Sequence, residues 1–182
     1  MRRVLDGALI VVLAASSGAG AAAAPAAGEA GAMGPRLQAV PQSDDGSILL
    51  SGSVATIRGT TLRWEPQEKK RTLGFWTKAE DAAEWTLAVA AAGDFDVEVL
   101  QGCGKGQGGS EMTVTLDPAH DAPQTIRFIV EDTGGFQEFR PRIVGRLTLS
   151  VGEHTLRVKP ERIAKAAACD IRQIRLLPAA TR

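Results

Sequence analysis

Tyrosine is absent from the 182-residue chain, and three tryptophans and five phenylalanines are its only aromatic residues. Any surface that stacks on a planar ligand must therefore be built from tryptophan or phenylalanine. A charge excess is also missing, because 21 basic residues are balanced by 21 acidic ones. Nucleic-acid binders show a basic excess on one face, so nucleic acid is set aside as a partner. Histidine occurs only twice, at His120 and His154, with no metal-ligand spacing. No activated-serine motif is present and the carboxylates are scattered, so no catalytic centre is expected. Paired carboxylates of a glycosidase are set by space rather than sequence, which keeps a small hydrolase as the weakest alternative. Long apolar runs are missing outside the N-terminus, so no membrane span is expected after it.

The N-terminus reads as a secretory signal peptide over residues 1–24. Arg2 and Arg3 form a basic start, ALIVVLAA from Ala8 to Ala15 an apolar centre, and Ala21 to Ala24 small-residue cleavage sites. That centre is too short to cross a ~30 Å hydrocarbon core, which needs about 20 residues. The protein is accordingly expected to be secreted or periplasmic. Residues 25–45 are rich in Ala, Gly and Pro and read as a flexible leader. The folded module is expected over 46–178, with a short tail at 179–182.

Within the module, apolar residues recur at every second position. Phe95, Val97 and Val99 alternate with Asp94, Asp96 and Glu98, which predicts a strand with one face in a core and one in water. Trp85, Leu87 and Val89 share a face just before it, and the turn at Ala92-Gly93-Asp94 predicts that the two strands form a hairpin. Similar runs occur at Met112–Leu116, Ile126–Val130, Leu147–Val151, Leu156–Val158 and Asp170–Leu177. Shorter candidates lie at Ile48–Leu50, Thr56–Ile57 and Thr61–Trp64. About eight or nine strands with abundant glycine argue for an all-β sandwich or barrel. Lys78–Glu84 and Glu161–Ala168 favour helix by composition but are too short to stand as helices.

Several motifs carry chemistry on paper. Gly104-x-Gly106-x-x-Gly109 fits a dinucleotide fingerprint, but that motif needs a helix behind it and Glu111–Leu116 reads as a strand. A glycine-rich loop between strands is the better account, with Lys105, Gln107 and Ser110 available for polar contacts. Trp85 belongs to the core by alternation, whereas Trp76, two residues after Gly74, suits core packing and ligand stacking about equally. Arg140, Arg142 and Arg146, with Arg63 and Lys105, would suit an anionic sugar. The competing account is a solvated strand face balanced by Glu131, Asp132 and Glu138. Cys103 and Cys169 are the only cysteines; export permits a disulfide between them, and two buried thiols are the other reading.

The runs GFW, EWTLAV, AAGDFDVEV, DTGGFQEF, GRLTLSVGEHTLRV and CDIRQIRLLP together resemble carbohydrate-binding modules of families six and thirty-five. QGCGKGQGGS resembles the version found beside exported bacterial sulfatases and fucosidases. The resemblance covers about Ser47 to Pro178 and implies a galactose-binding-like jelly roll, an antiparallel β-sandwich. It implies an exported, non-catalytic module that binds a glycan or polysaccharide, in company with an exported enzyme or envelope protein. A docking or structural module of the envelope is the alternative. The ligand-binding candidates are Trp76, Gln101, Lys105, Gln107, Phe136, Phe139 and Arg140. Relatives often hold a structural calcium between acids of the first strand and the Asp of the last. Here Ser51 and Ser53 stand in the first strand and only Asp170 remains, so no cofactor is expected.

Overall fold

The computed structural model describes residues 38–180, so the signal-peptide reading and most of the leader lie outside the described residues. The described chain forms twelve strands and one 3-10 turn at Gly52–Val54. The strands are β1 (Val40–Pro41), β2 (Ile48–Ser51), β3 (Thr56–Arg58), β4 (Arg63–Glu65), β5 (Thr72–Gly74) and β6 (Ala82–Val89). They continue as β7 (Gly93–Cys103), β8 (Glu111–Leu116), β9 (Gln124–Ile129), β10 (Gly135–Leu149), β11 (Gly152–Arg162) and β12 (Asp170–Pro178). One six-stranded sheet runs β1-β6-β11-β8-β9, with β3 also on β6. The second, also six-stranded, runs β10-β7-β12-β5-β4, with β2 on β12. All pairings are antiparallel except β1 on β6. The architecture is the antiparallel sandwich of a jelly roll, and the excess over eight or nine strands lies in short elements such as β1 and β5.

The alternating residues meet between the sheets. Trp85, Leu87 and Val89 of β6, with Leu156 and Val158 of β11, face Phe95, Val97 and Val99 of β7 and Ile174 and Leu176 of β12 within one buried cluster. The acidic side of β7 faces outward, where Arg146 pairs with Asp96 at 2.8 Å. Burying such side chains contributes about 1.5–3 kcal/mol each, which fixes the face every strand presents.

Two expectations are corrected. The predicted hairpin of β6 and β7 does not form, because β6 pairs with β1, β3 and β11 while β7 pairs with β10 and β12. The chain crosses from one sheet to the other at Ala90–Ala92, where Gln42 Oε1 accepts the Ala90 and Ala91 N–H groups at 3.0 and 2.8 Å. Alternation states which face is buried and is silent on which strand lies alongside. Structure also begins before Gly46, since Val40–Pro41 pairs with Leu87–Ala88. Residues 42–47 close a turn in which the Ser43 N–H donates to Ser47 O at 2.8 Å. Lys78–Glu84 forms no helix and runs into β6; Glu161–Ala168 is the end of β11 and a loop.

Candidate functional site

A cavity of about 210 Å³ opens where β5 finishes and β10 and β12 begin. Its walls are the rings of Phe75 and Phe136, and Glu65, Lys70 and Asp170 also line it. Thr77, Gln137 and Ala167 complete the lining.

Phe75 follows β5 and is 42% exposed, while its neighbour Trp76 is fully buried. Trp76 is anchored from both sides: its Nε1–H donates to Asp81 O at 2.8 Å, and its own carbonyl accepts the Ala168 N–H at 2.8 Å. β5 ends at Gly74, and just beyond it the chain turns Phe75 outward while Trp76 is seated in the core. The backbone accommodates this with a φ of +62° at Phe75, a region that costs a bulky residue about 1–3 kcal/mol and clusters at ligand sites. Arg63 stacks on Phe75, with its Cζ 3.3 Å from the ring centroid.

Phe136 is seated by the glycine-rich run. A side chain at Gly102 would lie 2.2 Å from Phe136 O, and one at Gly104 would lie 2.7 Å from the Phe136 ring. Glycine at both positions lets the β10 entry lie directly on β7. Asp132 ties the two segments together, accepting the Gly106 N–H and, at 2.8 Å, the Gly134 N–H. These bonds hold its carboxyl below the ordinary aspartate range. Thr133 Oγ1 accepts the Cys103 N–H at 2.7 Å. The run is thus followed by strand β8, not a helix, and its role is to place an aromatic ring.

Two acids and a lysine share the cavity lining. Lys70 Nζ bonds Glu65 Oε1 at 2.6 Å. A side chain at Gly74 would lie 2.6 Å from Glu65 Oε2 and 3.0 Å from Asp170 Oδ1, so glycine there lets both oxygens pack against the bare backbone and lie close to each other. Asp170 is 6% exposed and lines the cavity, and its carboxylate has no hydrogen-bond or ion-pair partner among the described residues. Burial, reinforced by the negative charge of Glu65 and opposed by Lys70, pushes its carboxyl up to about 7.

The other candidates fall elsewhere. Trp76 is core and offers no stacking surface. Gln101 is fully buried, its Nε2 donating to Glu131 O at 3.0 Å, which braces the loop before β10. Gln107 Oε1 accepts the Ala166 N–H at 3.2 Å and so braces the loop before β12. Lys105 and Arg140 are exposed and do not line the cavity. Phe139 lies outside it too, covered by the Arg172 guanidinium 3.8 Å from its ring centroid. The arginines of β10 are spread along the sheet, with Arg142 paired to Glu131 at 3.0 Å and Arg146 to Asp96. Cys103 and Cys169 are both buried free thiols. Burial, with Asp132 and Asp170 nearby, pushes Cys103 up to about 11, and burial raises Cys169 as well.

The first-strand acids that the family resemblance would ask for are replaced by Ser51 and Ser53. Ser51 and Ser53 bond each other at 2.9 Å, and no group of three or more His, Cys, Asp or Glu among the described residues can hold a metal. Calcium asks for six to eight oxygens.

Sequence reasoning missed Phe75, Glu65, Lys70, Thr77 and Gln137. Phe75 carries no decisive local signal, since adjacent residues can be buried together, as Ala82–Trp85 are. Glu65 carries no local signal, because it meets Asp170 only through the fold.

No protein-family model matches the sequence, and no curated protein does. Solved structures do share the fold. A family 35 carbohydrate-binding module from Clostridium thermocellum superposes with a TM-score of 0.56 at 14% identity, over 73% of this chain and 98% of that one. The C-terminal CBM6 of LamC, a marine laminarinase from Zobellia galactanivorans, gives 0.57 at 12% identity over 72% and 98%. The Podospora anserina GH26-CBM35 β-(1,4)-mannanase gives 0.53 at 18% identity over 76% of this chain, which spans only 29% of the mannanase. The described module therefore has the jelly-roll fold of family 35 and family 6 carbohydrate-binding modules.

Proposed function

We propose that this chain is an exported, non-catalytic module that binds a glycan. The observation that carries the reading is the cavity between Phe75 and Phe136, with hydrogen-bonding acids in its lining. Two aromatic walls suit the apolar faces of a sugar ring, and the carboxylates suit its polar edge. At about 210 Å³ the cavity is smaller than the roughly 300–1,000 Å³ of drug-sized sites and suits one sugar residue at a chain end. The shared fold supports the reading, and the signal-peptide pattern read in residues 1–24 supports export. An exported enzyme is the companion such a module would serve, and catalysis has no part in the reading.

The test is calorimetry against a panel of neutral, acidic and amino-sugar oligosaccharides. Binding to at least one is expected, with Phe75→Ala and Phe136→Ala each weakening it by about tenfold while thermal unfolding stays cooperative. Absence of binding at millimolar sugar, or binding indifferent to both substitutions, overturns the reading.

A further inference from the structure

From the acids and aromatic walls of this cavity, we propose that its sugar carries a free amine, so that the ligand is a hexosamine unit with an ammonium group. This deepens the glycan-binding reading and rests on it. The argument is one of charge and geometry. Glu65 and Lys70 neutralise each other through Oε1 and Nζ, 2.6 Å apart. Asp170 has no hydrogen-bond or ion-pair partner among the described residues, and Glu65 Oε2 and Asp170 Oδ1 pack side by side against Gly74 in the cavity lining. Two carboxylate oxygens side by side repel when both are ionised. An ammonium in the cavity donates to both and removes the repulsion, whereas a sugar hydroxyl brings no compensating charge.

The walls act in the same direction. Aromatic faces attract cations; the Phe75 ring already carries Arg63 at 3.3 Å and Lys70 at 6.0 Å, so Phe136 is the ring left to meet an ammonium in the cavity. The arginines that would read a uronate or sulfate are not at the cavity: Arg142 and Arg146 are paired on β10, and Arg63, stacked on Phe75, does not line it. Lys70, the one basic group that lines the cavity, is held by Glu65. The net charge of the whole chain is zero, so general electrostatic attraction does not supply the same preference.

The experiment compares a β-1,4-linked glucosamine trimer with its N-acetylated form, with the equivalent glucose trimer and with glucuronate. Full-length chain is titrated at pH 7 and physiological salt, where Asp170 is ionised in a large share of molecules. The glucosamine trimer is expected to bind at least about tenfold more tightly than the others, and Asp170→Asn is expected to abolish that margin while retaining weaker binding to the glucose trimer. A margin that persists in Asp170→Asn overturns the proposal, as does an aliphatic diamine that binds as tightly as the amino sugar. If a neutral or acidic sugar binds in a Phe75- and Phe136-dependent way and the amine adds nothing, the amine inference fails and glycan binding stands. If no sugar binds, both fail.

Discussion

Asp81 and Asp170 are the same side chain at two buried positions, and the protein treats them in opposite ways. Asp81 is fully buried and accepts four hydrogen bonds, from the N–H groups of Thr60, Thr61 and Leu62 and the Thr61 hydroxyl, at 2.6–2.9 Å. Burial alone would raise its carboxyl; the bonds from Thr61, Leu62 and Thr60 outweigh that and bring it down to about 2. Asp170 has none of these bonds and is pushed up to about 7. The first carboxylate organises the chain between β3 and β4. The second is left unsatisfied beside a cavity. A buried carboxylate with both oxygens engaged is structural, and one with neither engaged is available to a partner.

Removing each acid separates the two roles, and Asp81 should show the larger effect. Asp81→Ala removes the acceptor of three N–H groups and a hydroxyl, of which the Leu62 N–H is buried and the others are partly open to water, which predicts a loss of about 3 kcal/mol in urea unfolding. A loss under about 1 kcal/mol would mean that water replaces the carboxylate easily and that the loop is not organised by it. The sign of the pH dependence follows from the lowered pKa. Stability from Asp81 is present above the unfolded value near 3.9 and disappears as pH falls through about 2.

Asp170 should behave in the reverse sense. Its raised pKa means that the folded state keeps a proton the unfolded chain has already released. Stability is therefore full below about pH 4 and is lost as pH rises to about 7. Asp170→Asn should stabilise the protein at pH 8 by roughly 2 kcal/mol, flatten the profile between those limits and leave the pH 3 value nearly unchanged. If the variant is less stable at pH 8, the carboxylate has a structural partner and the contrast with Asp81 collapses. A stabilising change inside a cavity is the usual mark of a residue kept for binding.

The contrast also shows what the sequence discloses. The period-two run at Phe95–Val99 marks β7 and its faces unambiguously, and enough such runs indicate a sandwich. Strand partners are less visible, as β6 and β7 show, because either neighbour buries the same side chains. Within the site, Phe136 and Asp170 stand in recognisable stretches. Phe75 is masked by Trp76, the larger ring beside it. Glu65 lies far along the chain from Asp170, and the meeting of the two over Gly74 is a product of topology alone. The glycine run was legible as a close approach of backbones, but only the structure shows that Phe136 is what approaches.

A third ionisable group asks whether the contrast concerns acids or hydrogen bonding in general. His154 Nδ1 lies 2.6 Å from Asp117 Oδ2, and its Nε2 lies 2.9 Å from Ser150 O. With an acceptor facing each nitrogen, the ring is best satisfied as imidazolium, which donates from both. Burial opposes the charge, yet the bonds to Asp117 and Ser150 prevail and raise the pKa above 6.5. Like Asp81, His154 is a charge held by satisfied bonds, and for a base the sign inverts. Its contribution is full below the unfolded pKa near 6.5 and is lost as pH rises through the folded value. The effect should be the smallest of the three, about 1 kcal/mol, because neutral histidine can still donate from Nδ1 to Asp117. His154→Gln should cost that much at pH 5.5 and distinctly less at pH 9, read by urea unfolding of both proteins at each pH. An equal cost at the two pH values would show that the ring is held by packing, and that satisfied bonding explains Asp81 without extending to the turn between β10 and β11.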